Sequence, residues 1–459
     1  MCARISRTDN PARDRSVPPS AGHRVRARRR LREGWTHVTE SPQTPSGRPG
    51  PAAGSRRTGR GAGRFPGWGP RPLRSGAPGD GPGPPRTPPS PLHWMRRAAL
   101  GTAAAVLVTA VTGWGLYTKL DGNIRFDSDT QNELEKYEAE RPDPGPPNAE
   151  NILLIGSDNR GDGNEKYGAD SGTQRSDTTI LLHLAADRKS ATAVSIPRDL
   201  MVQVPRCKRS DGREIAEQTV QFNWTFQFAG AACTIRTVEK MTGIRITHHM
   251  IVDFVGFKKM VDAVDGVEIC VRRPIHDDKA HLVLPAGRQT LHGEEALGFV
   301  RARKSLGNGS DTQRMQRQQD FLGALVKKVQ SNGVLLNPTR LYPVLDAATS
   351  SLTTDADLAS LTGLYELVRS MRSIPTAHVQ FLTVPRQEYR YDPNRDELVQ
   401  PDAGRLFAEL RRDHRVTVAP AKDSAQSAAA FDAKPRDPSP PPGRAPAFPG
   451  TTAEHGTCE

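Results

Sequence analysis

The sequence predicts a layered α/β/α domain with a central mixed sheet, preceded by one transmembrane helix. Strand-length apolar runs alternate with helical patterns along residues 148–333, the signature of layered α/β architecture. An uncharged stretch of membrane-spanning length lies upstream, and charged clusters stand at the ends of the apolar runs. The runs Ile152–Ile155, Thr178–Leu184 and Ala191–Ile196 are continuous rather than alternating, as expected of strands covered on both faces.

Residues 1–97 hold twenty Arg, no Lys and five acids, whereas the other 362 residues hold 44 basic and 46 acidic side chains. The net charge of +13 therefore belongs to the tail, and the near-neutral remainder gives no expectation of a nucleic-acid partner. Residues 1–93 are rich in Arg, Pro and Gly and poor in aliphatic side chains. They cannot offset chain entropy by burial and are expected to be disordered.

From Ala98 to Tyr117 no residue is charged, and twenty residues at about 1.5 Å rise span the ~30 Å hydrocarbon layer. Trp94, Trp114 and Tyr117 stand where interface aromatics belong, so residues 94–118 read as a membrane helix. Arginines before it and acids after it (Asp121, Asp127, Asp129, Glu133 and Glu135) predict a single-pass cell-membrane protein with its N-terminus cytoplasmic and its domain extracellular. A cleaved signal peptide is the rival reading. The length of the run, and the lack of a small-x-small site just after it, favour an uncleaved anchor.

Polar DTQNELEKYEAE and Pro-rich RPDPGPPNAE make residues 119–147 an expected stalk. In the domain, the apolar positions of IRTVEKMTG predict a helix ending at Gly243, followed by the strand ITHHMIVDF, the helix VGFKKMVDAVDG and the strand VEICV. GRQTLHGEEALGFVRAR reads as a turn and a helix, and Thr312–Val329 as one long helix. Residues 334–415 are expected to pack on the domain as a helix over LTTDADLASLTGLYELVRSMRSI, a strand at AHVQFLTVP and a last helix at AGRLFAELRRDH. Residues 416–459, with their Ala, Pro, Ser and Asp content, are expected to be a disordered tail.

Cys207 and Cys233 flank a polar loop, and a disulfide between them, closing about 25 residues, suits an outside location. Cys270, inside GVEICV, reads as a buried thiol. The adjacent pair His248–His249 reads as structural rather than metal-binding.

The chemistry gathers at element ends. Asp158 with Arg160, Arg175 with Asp177, and Arg198 with Asp199 close the three apolar runs. FVRARK adds Arg301 and Arg303, and DTQRMQRQQ adds Arg314, Arg317 and Gln318. Two carboxylates from neighbouring strands can hold one Mg²⁺, and guanidiniums fork onto phosphate. Taken singly, each pair is also an exposed salt bridge worth under about 1 kcal/mol. The number of clusters favours a site for an anion held through a divalent metal. No Walker loop, GxSxG elbow, HExxH or Rossmann fingerprint is present, so nucleotide and serine-hydrolase chemistry have no support.

NILLIGSDNR, RSDTTILL, SIPRDL, FNWTFQFAG with IRTVEKMTG, VDFVGFKKMVDAVDGVEI, LPAGRQTLHGEEALGFVRAR and DTQRMQRQQDFL together resemble the LytR-CpsA-Psr family. The likeness covers roughly residues 150–330, block by block and in order. It implies a membrane-anchored extracytoplasmic phosphotransferase with an apolar lipid pocket. Such an enzyme moves a glycopolymer from a polyprenyl-pyrophosphate carrier onto peptidoglycan with Mg²⁺. By resemblance, Asp158 and Asp177 match the metal-associated acids and, with Arg198, the catalytic set. Arg160, Arg175, Arg198, Arg301, Arg303, Arg314 and Gln318 match the pyrophosphate-contacting set. One departure is Gln221-Phe222-Asn223, where many members have Lys-Ile-Asn, so one cationic contact is missing there. The Phe321–Val329 helix and the Ile251–Val264 region are candidates for lining the lipid pocket, although apolar helix faces are more often ordinary core. Two other readings stand beside the transferase: a hydrolase of the same pyrophosphate lipids, and a regulator binding nucleic acid through the Arg-rich arm. The near-neutral domain and the membrane span oppose the latter.

Overall fold

Residues 91–158, 174–209, 211–302, 311–331, 338–419 and 447–455 are described in a computed structural model of the chain. Arg160, Arg303 and residues 1–90 of the tail expected over 1–93 lie outside them, and residues 91–93 are helical instead. In chain order the first elements are α1 (Pro91–Asn123), β1 (Arg125–Phe126), α2 (Ser128–Lys136), β2 (Glu150–Ser157), β3 (Ser176–Leu184), β4 (Ala191–Ile196) and β5 (Met201–Val204). Then come β6 (Cys207–Lys208), β7 (Glu214–Ile215), β8 (Gln218–Gln221), α3 (Trp224–Thr242), β9 (His248–Val252), α4 (Phe254–Ala263) and β10 (Val267–Val271). β11 (Ile275–Asp277), β12 (Leu282–Leu284), β13 (Gly287–Leu291), α5 (Gly293–Arg301), α6 (Asp311–Ser331) and α7 (Pro338–Ser351) follow. The chain continues through β14 (Leu352–Thr354), α8 (Leu361–Arg372), β15 (Val379–Thr383), β16 (Arg386–Tyr389) and β17 (Asp392–Leu398). α9 (Asp402–Arg411), β18 (Thr417–Ala419) and β19 (Ala447–Thr452) complete the set.

Nine strands form one mixed sheet in the order β1-β14-β9-β2-β3-β4-β15-β19-β18. β3 runs antiparallel to both its neighbours, β2 and β4, while β9 joins β2 and β15 joins β4 in parallel. Successive strand residues point to opposite faces, and here both faces are covered. Leu153, Ile155, Val194 and Ile196 meet Ile235 and Val238 of α3 and Phe407 of α9 on one side. Ile152, Ile180, Ala191 and Ala193 meet Leu322 and Val326 of α6 and Leu367 of α8 on the other. This two-sided cover is the physical reason the central strands are continuously apolar. Outside it, α4, α5, α6 and the β10–β13 segment close a further apolar cluster around fully buried Phe321, whose ring lies 5.6 Å from that of Phe257.

Helix α3 bends at Ala229–Gly230, where Gly230 has φ 63° and ψ −153°, a backbone state open only to glycine. The bend lets its first turn lean on the strand ends while its second half packs on the sheet.

Several expectations change. The helix expected over 94–118 is longer: α1 remains helical to Asn123 and is long and apolar enough to cross a membrane. Its last turn docks on the domain. Leu120 is buried, Lys119 Nζ lies 3.1 Å from an Asp346 oxygen, and Asp121 Oδ1 accepts from Leu361 N at 3.0 Å. The expected stalk, 119–147, is folded into the domain instead. β1 pairs with β14, and Arg141 forks onto buried Glu239, its Nη2 2.7 Å from Oε1. A buried carboxylate requires such a partner. The expected C-terminal tail also supplies structure, because β19 pairs with β15 and β18 with β19. These two strands cover what would be an open sheet edge, and Ala453 beyond them is fully buried. GRQTL is a strand, β13, rather than a turn, because β10 offers it a partner from Val267 to Val271. The helix expected over residues 352–374 begins only at Leu361, since Leu352–Thr354 pairs with β9.

A disulfide joins Cys207 to Cys233. Cys270 is disulfide-bonded as well, which corrects the reading of a thiol. Next to the docked end of α1, His248 Nδ1 is 3.1 Å from Asp355 Oδ1 and His249 Nε2 is 3.2 Å from Asp127 Oδ2. Burial disfavours charge on His248, but its hydrogen bond to Asp355 wins and raises its pKa. Burial works the same way against Asp355 and Asp127, yet hydrogen bonds from His248 and His249 hold both carboxyls below the ordinary range.

Two measurements follow from these contacts. Cys207→Ser is expected to lower the stability of the oxidised protein by about 3 kcal/mol, read from its denaturant midpoint. The stabilisation from charged His248 is complete below its ordinary pKa of about 6.5 and fades as pH rises through the raised folded value. His248→Gln should therefore be clearly less stable than the parent at about pH 6, with the gap narrower at about pH 8. An equal gap at both pH values would show that the ion pair does not titrate there.

Candidate active site

Antiparallel pairing sets the end of β2 beside the start of β3, with Ser157 opposite Ser176. Asp158 N donates to Arg175 O at 3.0 Å, and Arg175 N returns a bond to Asp158 Oδ1 at 2.5 Å. β4 runs antiparallel to β3, so the Pro197–Asp199 turn lands at the same end of the sheet. Arg198 Nη1 donates to Asp177 Oδ1 at 2.9 Å, and Arg198 Nε to Asp199 Oδ2 at 3.3 Å. Arg175 Nε reaches Gln227 Oε1 at 2.9 Å, on the first turn of α3 that the Gly230 bend directs here.

The long helix α6 starts at this end too. Asp311 Oδ1 lies 3.7 Å from Arg198 Nε and 2.7 Å from Arg314 Nη2, bridging guanidiniums from β4 and α6. Burial works against the charge of Arg198, but Asp177, Asp311 and Asp199 outweigh it and push its pKa upward. One helical turn on from Arg314, Gln318 Nε2 donates to Thr178 Oγ1 at 3.1 Å and Val300 O at 3.2 Å. That pair of bonds sets the end of α5 against β3. Arg301, the next residue, stacks its guanidinium 4.6 Å over the Phe254 ring.

The sequence-derived residues thus meet in part. Asp158, Arg175, Asp177, Arg198, Arg314 and Gln318 stand on contiguous contacts at one sheet end, and Arg301 borders them with its stated contact to an aromatic ring. Arg160 and Arg303 lie outside the described residues. His248 and His249 sit elsewhere, at the start of β9 and opposite Ile152 and Leu153 near the other end of β2. His248, Asp355 and Asp357 do offer ligand atoms within 4.8 Å of one another. Asp355 Oδ1, however, already accepts from His248, Asp357 N and Leu358 N.

Sequence reasoning missed several members of the site. Asp311 had a usable signal, an acid in the first turn of a helix one turn before an arginine. The β16–β17 hairpin had only a polar YDPN turn and gave no hint of its destination. Its Arg386 pairs with Asp396 and donates to Thr312 Oγ1, and Arg395 Nη1 lies 3.6 Å from Asp199 Oδ1. Gln221, the uncharged departure, donates to that same Asp199 oxygen at 2.9 Å. The cation beside it is therefore Arg395, delivered from far along the chain.

Acids and guanidiniums interleaved in this way can bind a diphosphate and an accompanying hard cation, and can stabilise charge shifting between phosphates.

Residues 120–411 match the LytR_cpsA_psr family. The cell wall biosynthesis protein LcpA of Corynebacterium glutamicum is 32% identical over 263 residues, covering 52% of this chain and 50% of LcpA. TagT of Bacillus subtilis, a polyisoprenyl-teichoic acid–peptidoglycan teichoic acid transferase, is 31% identical over 239 residues, covering 50% of this chain and 67% of TagT. The chain thus spans between about half and two thirds of the length of these relatives. A solved LytR-Csp2A-Psr enzyme from Actinomyces oris gives a TM-score of 0.47 at 22% identity, covering 59% of this chain and 93% of that one. Since the family match takes in well over half of the residues and every described element of the site, the chain belongs to the LytR-CpsA-Psr family.

Proposed function

We propose that the chain is a membrane-anchored extracytoplasmic phosphotransferase that attaches a glycopolymer, carried on polyprenyl pyrophosphate, to peptidoglycan. The observation that carries this reading is the convergence of β3, β4 and α6 on Arg198, which meets Asp177, Asp199 and Asp311 together. Relatives named for cell wall biosynthesis and teichoic acid transfer support it. The Cys207–Cys233 disulfide supports a domain outside the membrane, where disulfides persist, with the Arg-rich N-terminus inside.

Asp158 and Asp177 offer carboxylate oxygens from neighbouring strand ends, a donor set that suits Mg²⁺ and not a soft metal. When bound, Mg²⁺ would supply charge neutralisation across the phosphate oxygens. Arg175, Arg198, Arg301 and Arg314 would grip the diphosphate, and Gln318 would keep α5 and β3 in register beside it. The primary hydroxyl of an N-acetylmuramic acid unit attacks the phosphorus that bears the glycan. A new oxygen–phosphorus bond forms as the bond to the bridging oxygen breaks. The electron pair leaves with the polyprenyl phosphate, the hydroxyl proton passes to solvent, and the guanidiniums stabilise the charge on both sides. The lipid would follow the seam along α6, where Phe254, Phe257, Leu325 and Val329 are only partly buried.

Arg198→Ala is expected to lower transfer from a lipid-linked donor to peptidoglycan by about 10²–10³-fold, with the far-ultraviolet circular dichroism of the parent retained. Near-parental transfer in that variant would remove Arg198 from the site. Chelation with EDTA should abolish transfer and added Mg²⁺ restore it. Turnover indifferent to EDTA would take the metal out of the mechanism.

A further inference from the structure

We propose that the β16–β17 hairpin is a ledge for the peptidoglycan acceptor, binding its glycan strand against the tyrosines at the hairpin tip. The assignment rests on the transferase reading above and names the acceptor's route into the same site.

The hairpin is tied to the site along its length, by Arg386 at the root and by Asp396 and Arg395 nearer the tip. Asp396 N donates to Asp199 O at 3.1 Å, Arg395 lies 3.6 Å from the Asp199 carboxylate, and Arg386 donates to Thr312 on the first turn of α6. Its tip is the opposite. Tyr391 is 77% exposed, its ring 5.3 Å from that of Tyr389 in an edge-on pair, with the Arg390 guanidinium 5.8 Å from the Tyr391 ring centre. Single exposed aromatics are ordinary. Two tyrosines and an arginine held together on a short arm rooted in the reaction centre are a binding surface. At about 3.4 Å per residue the tip stands roughly 15 Å from Arg386, within reach of a short run of sugars.

The chemistry of the arm fits a glycan. A pyranose ring has a C–H face rimmed by hydroxyls. A tyrosine ring offers an apolar face with a phenol at its edge, and Gln387 and Asn394 on the same hairpin supply amides that donate and accept.

Its side of the sheet selects the acceptor over the donor chain. Leu398 at the hairpin root packs with the α3-side core, whereas the seam proposed for the lipid lies on the α6 side. In phosphoryl transfer the nucleophile and the leaving group are roughly in line on opposite sides of phosphorus. A polyprenyl phosphate departing toward α6 leaves the attacking hydroxyl to arrive from the hairpin side.

The test is co-sedimentation of the full chain, in detergent, with insoluble peptidoglycan sacculi, beside a separate binding assay with a polyprenyl-diphosphate glycan. Tyr389→Ala/Tyr391→Ala should weaken binding to sacculi about fivefold or more and leave the donor isotherm in place, while Tyr391→Phe, which keeps the ring, should bind as the parent does. Sedimentation of the double variant at the parental level, or a loss confined to the donor, would overturn the ledge. Because sedimentation needs no turnover, a chain that binds sacculi through these tyrosines yet transfers nothing would sink the transferase reading instead.

Discussion

The site depends on one guanidinium. Arg198 stands between carboxylates from three separate elements, Asp177 on β3, Asp199 just after β4, and Asp311 at the start of α6. A partly buried charge cluster of this kind is costly to break from one side, because each remaining group is left uncompensated in a poor solvent. The sheet end and the helix start are therefore held in one geometry before any substrate arrives. Preorganisation of that kind is what charge-stabilising catalysis requires.

Helix α6 carries that geometry into the apolar layer. Its first two turns present Asp311, Arg314 and Gln318 to the strand ends. Farther along, Phe321 and Ala324 enter one hydrophobic cluster while Leu322 and Val326 face another. A 21-residue helix is rigid over this length, so the anion-binding end and the greasy end move as one body. Phe321 is fully buried, which makes it core. The proposed lipid seam is left to the partly buried side chains along the same helix.

Much of this was legible in the sequence, for stated physical reasons. β2, β3 and β4 are covered on both faces, so their apolar runs are unbroken and their charged ends stand out. Asp158, Arg175, Asp177 and Arg198 were found because sheet pairing alone brings them together. What escaped notice was long-range and polar. Arg395 approaches Asp199 from a hairpin nearly two hundred residues later, and no local pattern announces such a meeting. Residues 119–147 looked like a linker because their partners, Glu239 and β14, lie far along the chain. The short strand β19 carries Pro and Gly, which obscures a strand whose role is to finish an edge.

That finishing edge has a consequence for how the protein comes into being. β19 sits between β15 and β18, and Gly323 of α6 fits closely against Ala453, where an added Cβ would come within 3.3 Å of the Ala453 backbone. Until residues 447–453 have been synthesised, one side of α6 and one border of the sheet remain uncovered. Maturation is therefore a late event in biogenesis. A nascent chain halted before that point would present a sticky, half-built border to whatever chaperones meet it.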